Sequence, residues 1–140
     1  MNKFDQHLSK KTLAWIVFGI AVLYYLYEYI QRVSPAVMVD ELMRVFHINT
    51  MVLGNLSAIY LYIYAAFQIP VGILVDRFGP KRPLLYASLV CVIGSFIFSF
   101  SYHLPLAYVG RALVGLGSAF GYLCCLKLVV NWFSVKRFGF

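Results

Sequence analysis

Two long stretches of this chain carry no formal charge: 31 residues from Val45 to Val75, and 28 from Pro83 to Gly110. A helix needs about 20 apolar residues to cross the hydrocarbon of a bilayer. Only helices and closed barrels satisfy their backbone polar groups there. Each run is long enough for a span, and a shorter apolar run, Leu13 to Tyr27, precedes them. A soluble domain of 140 residues would leave about a third of its unfolded surface in water. With 62% apolar and 12% charged residues, against roughly 45–50% and about 25% in ordinary soluble domains, this chain has too little polar surface for that. A disordered tail and a disulfide-stapled secreted domain fit equally poorly. An all-α polytopic membrane protein remains, with room for roughly four to six spans and no extramembrane domain.

Charged clusters punctuate the apolar runs and predict four transmembrane helices over about 13–39, 51–75, 83–102 and 106–132. The first span is interrupted by Glu28, Arg32 and Pro35, and Asp40 to Arg44 reads as the first loop. Asp76 to Pro83 forms the second loop, and Tyr102-His103-Leu104-Pro105 the third. The N-terminal apolar run lacks a small-residue cleavage site, so it reads as an uncleaved span rather than a signal peptide. Lys3, Lys10, Lys11, Arg77, Lys81, Arg82, Lys136 and Arg137 fall on one side of such a four-span chain, and only Arg44 falls in a loop on the other. Positive residues concentrate in cytoplasmic loops, so both termini are expected to be cytoplasmic.

The net charge of +7 would suggest nucleic acid in a soluble protein. Here the basic residues form no stripe with stacking aromatics, so no nucleic-acid partner is expected. Cys91, Cys124 and Cys125 lie inside apolar segments, and His7, His47 and His103 near membrane borders, none of them at ligand spacing. No metal and no cofactor are expected, and no nucleophile elbow, phosphate loop or zinc-protease motif points to an enzyme.

The most specific motif is the second loop. Gly72-Ile73-Leu74-Val75-Asp76-Arg77-Phe78-Gly79-Pro80-Lys81-Arg82 resembles the GxLaDRxGxrr signature between the second and third helices of the major facilitator superfamily. In a tight hairpin Gly72 permits close helix approach, Asp76 accepts hydrogen bonds at a helix terminus, and Gly79 permits positive φ. Lys81 and Arg82 suit the anionic headgroup zone. Arg111-Ala112-Leu113-Val114-Gly115-Leu116-Gly117-Ser118-Ala119 resembles the family's RxxxGxGxA helix-four motif. Asn131 to Gly139 resembles the WFP-x-x-x-R-G loop after it, with Ser134 in place of proline and Phe138 separating Arg137 from Gly139. Glu28 to Val37 is similar to helix one of the anion/cation symporter-type branch, and to bacterial relatives of lysosomal dipeptide and phagosomal nutrient transporters. The resemblance implies a partial N-terminal transporter domain over residues 1–140, comprising helices one to four of a six-helix bundle. The remaining helices would be needed in cis or in trans, and substrate would sit between two halves that rock in alternating access.

Charge inside a span is costly and marks function by default. Glu28 and Arg32 are one turn apart and can pair. The pair reads either as a proton- or ion-coupled switch, in which protonation of Glu28 frees Arg32 for an anionic group, or as a structural pair with Arg32 snorkelling. Pro35 would free a carbonyl that could face the cavity. Arg111 reads as a cavity or coupling residue, or as a second snorkelling arginine, and Lys127 as an interface anchor. Ser57, Tyr60, Tyr64 and Gln68 share one helix face and form a candidate pore-lining stripe. Tyr24 and Tyr25 share the face of Glu28. Gly117 and Gly121, with Gly110 and Gly115, read as a close-packing ridge, as do Ala87, Cys91, Gly94 or Ser95, and Ser99.

These features together suggest the N-terminal portion of a proton- or ion-coupled secondary transporter for an organic anion, amino acid or small peptide. Glu28, Arg32, Arg111, Tyr60, Tyr64 and Gln68 would handle substrate or coupling, and Gly72, Asp76, Arg77, Gly79, Lys81 and Arg82 a conformational gate. Its partners would be the lipid bilayer, a small-molecule substrate and protons, in a bacterial inner membrane. The alternatives are a compact four-span dimeric drug-efflux carrier and a truncated remnant or assembly partner without transport of its own.

Overall fold

In a computed structural model that describes the backbone of residues 3–132, apolar runs become helices and the polar breaks between them become short reversals. The elements are α1 (Lys3–Val37), α2 (Val39–Phe46), α3 (Thr50–Phe78), α4 (Lys81–Ser99) and α5 (Leu104–Trp132). No strand occurs among the described residues. Three helices, Thr50–Phe78, Lys81–Ser99 and Leu104–Val130, are long and apolar enough to cross a membrane. The apolar run Leu13 to Tyr27 lies within the 35 residues of α1, which ends at Val37, so the last two residues of the expected first span fall outside it and Val39 already belongs to α2. The chain is an all-α polytopic membrane protein. Lys136 and Arg137, and residues 133–139 of the motif after helix four, lie outside the described residues.

The helix ends follow from their capping residues. Asn49 starts α3 by accepting a hydrogen bond from Val52 N–H at 3.0 Å. Gly79 ends it at φ 76°, with its N–H on Val75 O at 3.0 Å. Pro80 follows directly as the N-cap of α4. The expected loop from Asp76 to Pro83 is therefore mostly helix, and the reversal itself occupies only Gly79 and Pro80. Nor do Glu28, Arg32 and Pro35 interrupt α1, which stays helical to Val37.

The stretch expected to be the first loop is the short helix α2. Its residues Val39, Leu42, Met43 and Phe46 recur at amphipathic spacing. Leu42 is buried with Leu53, Leu56 and Ala107, and the other three pack against the same cluster. Asp40, Glu41 and Arg44 occupy the exposed face, where Arg44 Nη2 meets Glu41 Oε2 at 2.6 Å. Averaged hydropathy counts those charges against the segment, although its periodicity is helical.

The bundle is organised around α5, against which α1, α3 and α4 all pack while touching one another little. Small residues on α5 permit this. A Cβ on Gly115 would stand 2.6 Å from Tyr60 O on α3, and one on Gly94 of α4 would stand 2.9 Å from Gly110 O. Without side chains at these points the backbones come into direct contact, which is how membrane helices gain packing energy. Gly72 does not act this way, contrary to expectation: a Cβ there would meet only Leu123 Cδ1, at 4.0 Å, an ordinary contact.

Candidate functional site

Tyr25, Glu28, Tyr29 and Arg32 recur on one face of α1 at helical spacing. With Tyr60 and Tyr64 from α3 and Tyr122 from α5, they line a cleft of about 280 Å³. Glu28 is only 7% exposed, and its Oε2 has no hydrogen-bond partner among the described residues. The rings of Tyr60 and Tyr64 stack at 6.1 Å and 14°, and those of Tyr25 and Tyr122 lie 6.2 Å apart. One carboxylate and one guanidinium thus share a wall of phenol rings.

The expected Glu28–Arg32 ion pair is not formed. Among the described residues the ion pairs are Arg44–Glu41 and Lys127–Asp76. The i, i+4 spacing allows the contact without compelling it. Arg32 is exposed while Glu28 is buried, so the two side chains lie in different surroundings. The tyrosine neighbours also differ from the helical-wheel expectation. Tyr25 lines the cleft, but the hydroxyl of Tyr24 lies 3.8 Å from Cys91 Sγ on α4.

Of the candidate stripe on α3, Tyr60 and Tyr64 face the cleft and the other two residues do not line it. Ser57 Oγ donates to its own helix at Leu53 O, 3.1 Å away, as serines in apolar helices commonly do. Gln68, one turn beyond Tyr64, is half-buried. Tyr122 was not anticipated, since its approach to Tyr25 joins residues distant in sequence.

Arg111 stands behind Tyr60 rather than in the cleft. It is 2% exposed, so it does not snorkel. Its guanidinium carbon lies 5.2 Å from the Tyr60 ring centroid and 5.7 Å from that of Phe98, distances at which a cation is attracted to an aromatic face. Nη1 donates to Gln31 O on α1 at 2.8 Å, and Nε is buried without a partner among the described residues. The Gln31 side chain turns to α4, where Nε2 donates to Ser95 Oγ at 2.7 Å, and it also donates to Tyr27 OH on its own helix at 2.9 Å. Arg111, Gln31, Ser34 and Ser95 line a second cavity of about 610 Å³ that reaches Leu42 and Phe46 of α2.

At the far end of α3, the residues of the loop motif split into several roles. Lys127 Nζ pairs with the Asp76 carboxylate and ties α3 to α5. Asp76 thus accepts from a side chain rather than from helix-end N–H groups, and Lys127 is a cross-helix partner rather than a bare anchor. The guanidinium carbon of Arg77 lies 5.8 Å from the Phe78 ring. Lys81 borders an apolar groove of about 510 Å³ with Val17, Ile20, Tyr24 and Leu84, and Arg82 is exposed. Among the described residues no three His, Cys, Asp or Glu side chains gather as metal ligands.

Comparison with known proteins accords with this architecture. Residues 13–140 match the sequence profile described as Major Facilitator Superfamily. Over 125 residues the chain is 28% identical to the probable sulfoacetate transporter SauU of Cupriavidus necator, covering 89% of this chain and 29% of that protein. It is 31% identical over 121 residues to the uncharacterized transporter YybO of Bacillus subtilis, covering 86% and 27%. It is 25% identical over 118 residues to the probable galactarate/D-glucarate transporter GarP of Escherichia coli, covering 80% and 27%. No solved structure matches it significantly. The chain spans under a third of the length of these relatives, and by its match to that profile it belongs to the Major Facilitator Superfamily.

Proposed function

We propose that this chain forms the N-terminal part of a proton- or ion-coupled secondary transporter for a small organic anion, and that the tyrosine-lined cleft handles both anion and proton. The observation that carries this reading is the placement of buried Glu28, one of whose carboxylate oxygens has no partner among the described residues, in the same cleft as Arg32, which has no ion-pair partner among them. Arg32 offers a guanidinium fork suited to a carboxylate or sulfonate, and the tyrosine hydroxyls offer hydrogen bonds to its polar groups. Relatives bearing the names of sulfoacetate and galactarate/D-glucarate transporters support an anion. Glu28 binds a proton when the cleft opens to one side and releases it on the other. Alternating access then comes from rocking of repeat units about this site. The Asp76–Lys127 pair clasps α3 to α5 in one of the two states. The excess of Lys and Arg in one set of loops supports both termini being cytoplasmic, and the bacterial relatives support a bacterial inner membrane.

Binding of radiolabelled sulfoacetate or D-glucarate to the chain in lipid nanodiscs tests the site. Arg32→Ala is expected to weaken binding about tenfold or more, as loss of a charge-assisted hydrogen bond should. Glu28→Gln is expected to retain binding and lose its pH dependence. Binding unchanged in both variants would remove the assignment.

A further inference from the structure

Pro35 sits inside α1 and is fully buried. Proline has no N–H, so the carbonyl four residues earlier, that of Gln31, loses its helical donor. In an apolar surround such an oxygen must find another donor or break the helix. Two donors reach it. Ser34 Oγ does so at 3.1 Å from one turn further along α1, and Arg111 Nη1 at 2.8 Å from α5. With the oxygen satisfied, α1 stays helical past Pro35, and Met38 N–H still reaches Ser34 O at 3.2 Å.

We propose that Arg111 is a positioning residue that supplies, from α5, the hydrogen bond Pro35 removes from α1, and so sets the geometry of the anion cleft without touching the ligand. Gln31 immediately precedes Arg32 and lies three residues after Glu28. Fixing its carbonyl therefore fixes the segment that carries both charges. The same guanidinium packs over the Tyr60 ring, whose residue lines the cleft from α3, and over Phe98 of α4. One buried cation thus sets the mutual register of all four long helices. Arg111 itself is not among the residues lining the cleft. The ligand arm of this inference rests on the anion-cleft reading, and the capping arm does not.

A mutant cycle in the 140-residue chain, held in lipid nanodiscs, tests it. Arg111→Met keeps volume and removes the donors, and Pro35→Ala returns an N–H to the Gln31 carbonyl. The expected result is a drop of several degrees in thermal midpoint for Arg111→Met alone, most of it recovered when Pro35→Ala is added. An equal drop in both backgrounds overturns the proposal. If Arg111→Met does not fold with Pro35 present, Arg111→Lys, which keeps one donor, is run through the same two backgrounds. A loss that Pro35→Ala does not relieve again overturns the proposal. Sulfoacetate binding provides the second readout. The affinity lost in Arg111→Met returns in the double variant if the arginine only positions, and stays lost if it contacts the anion, which overturns the positioning role. Absence of sulfoacetate binding by the unsubstituted chain would sink the cleft reading, and the thermal cycle would still decide the capping role.

Discussion

Gly79 turns the chain between α3 and α4 at φ 76° and ψ 166°, a region that residues with a Cβ scarcely enter. Nothing stands within 4 Å of where its Cβ would be, so the cost of a side chain there is backbone strain alone. Gly79→Ala is expected to destabilise the chain by about 1–3 kcal/mol, measured by unfolding in mixed micelles. No measurable loss would mean the turn relaxes to another conformation. This role was legible in the sequence, because a glycine followed by a proline between two apolar runs has few other uses. Glu28 and Arg32 stand out as candidates in the sequence too, since charge is conspicuous in an apolar helix. Their failure to pair was not legible, because side-chain reach and burial depend on the neighbouring tyrosines. Arg111 was noticed for its charge, but its partner lies 80 residues away in sequence and only the packing of α1 on α5 reveals it.

The long helices could be read from hydropathy, because apolar runs of that length have one stable form in lipid. What hydropathy missed is α2, although Val39, Leu42, Met43 and Phe46 carry a helical period. Its three charges lower the average without disturbing that period. Leu42 anchors α2 at 7% exposure, so Leu42→Ala is expected to cost about 2–5 kcal/mol. It should also raise amide exchange over Val39–Phe46 before the rest of the bundle. Uniform exchange would mean α2 is held by its connections rather than by its core face. Small residues on α5 were legible as a packing ridge, while the partner of each was not. Gly115→Ala would drive a methyl to 2.6 Å from Tyr60 O and is expected to cost about 1–3 kcal/mol by overpacking. Because Tyr60 lines the cleft, the substitution should also weaken sulfoacetate binding. Destabilisation with unchanged binding would show that α3 moves without disturbing the site.

For the whole molecule, charge distribution and helix count combine into one expectation. If the chain has four spans, the α3–α4 reversal at Gly79 is expected to face the cytoplasm, and the turns near His47 and Tyr102 to face away from it. Alkaline phosphatase inserted after His47 or Tyr102 should be active, and a fluorescent protein inserted at Gly79 should mature. The opposite pattern would invert the orientation. The central place of α5 has a further consequence, which concerns time rather than space. In chain order α5 is the last of the described helices, so α1, α3 and α4 leave the ribosome before the surface on which all three pack exists. Until it arrives, lipid must occupy the contacts that Gly110 and Gly115 will later fill, and the earlier helices have little reason to stay together. Packing of these four helices on one another is therefore a late event set off by the arrival of α5. A pause in translation before Leu104 would lengthen the interval in which the unfinished bundle is open to membrane proteases.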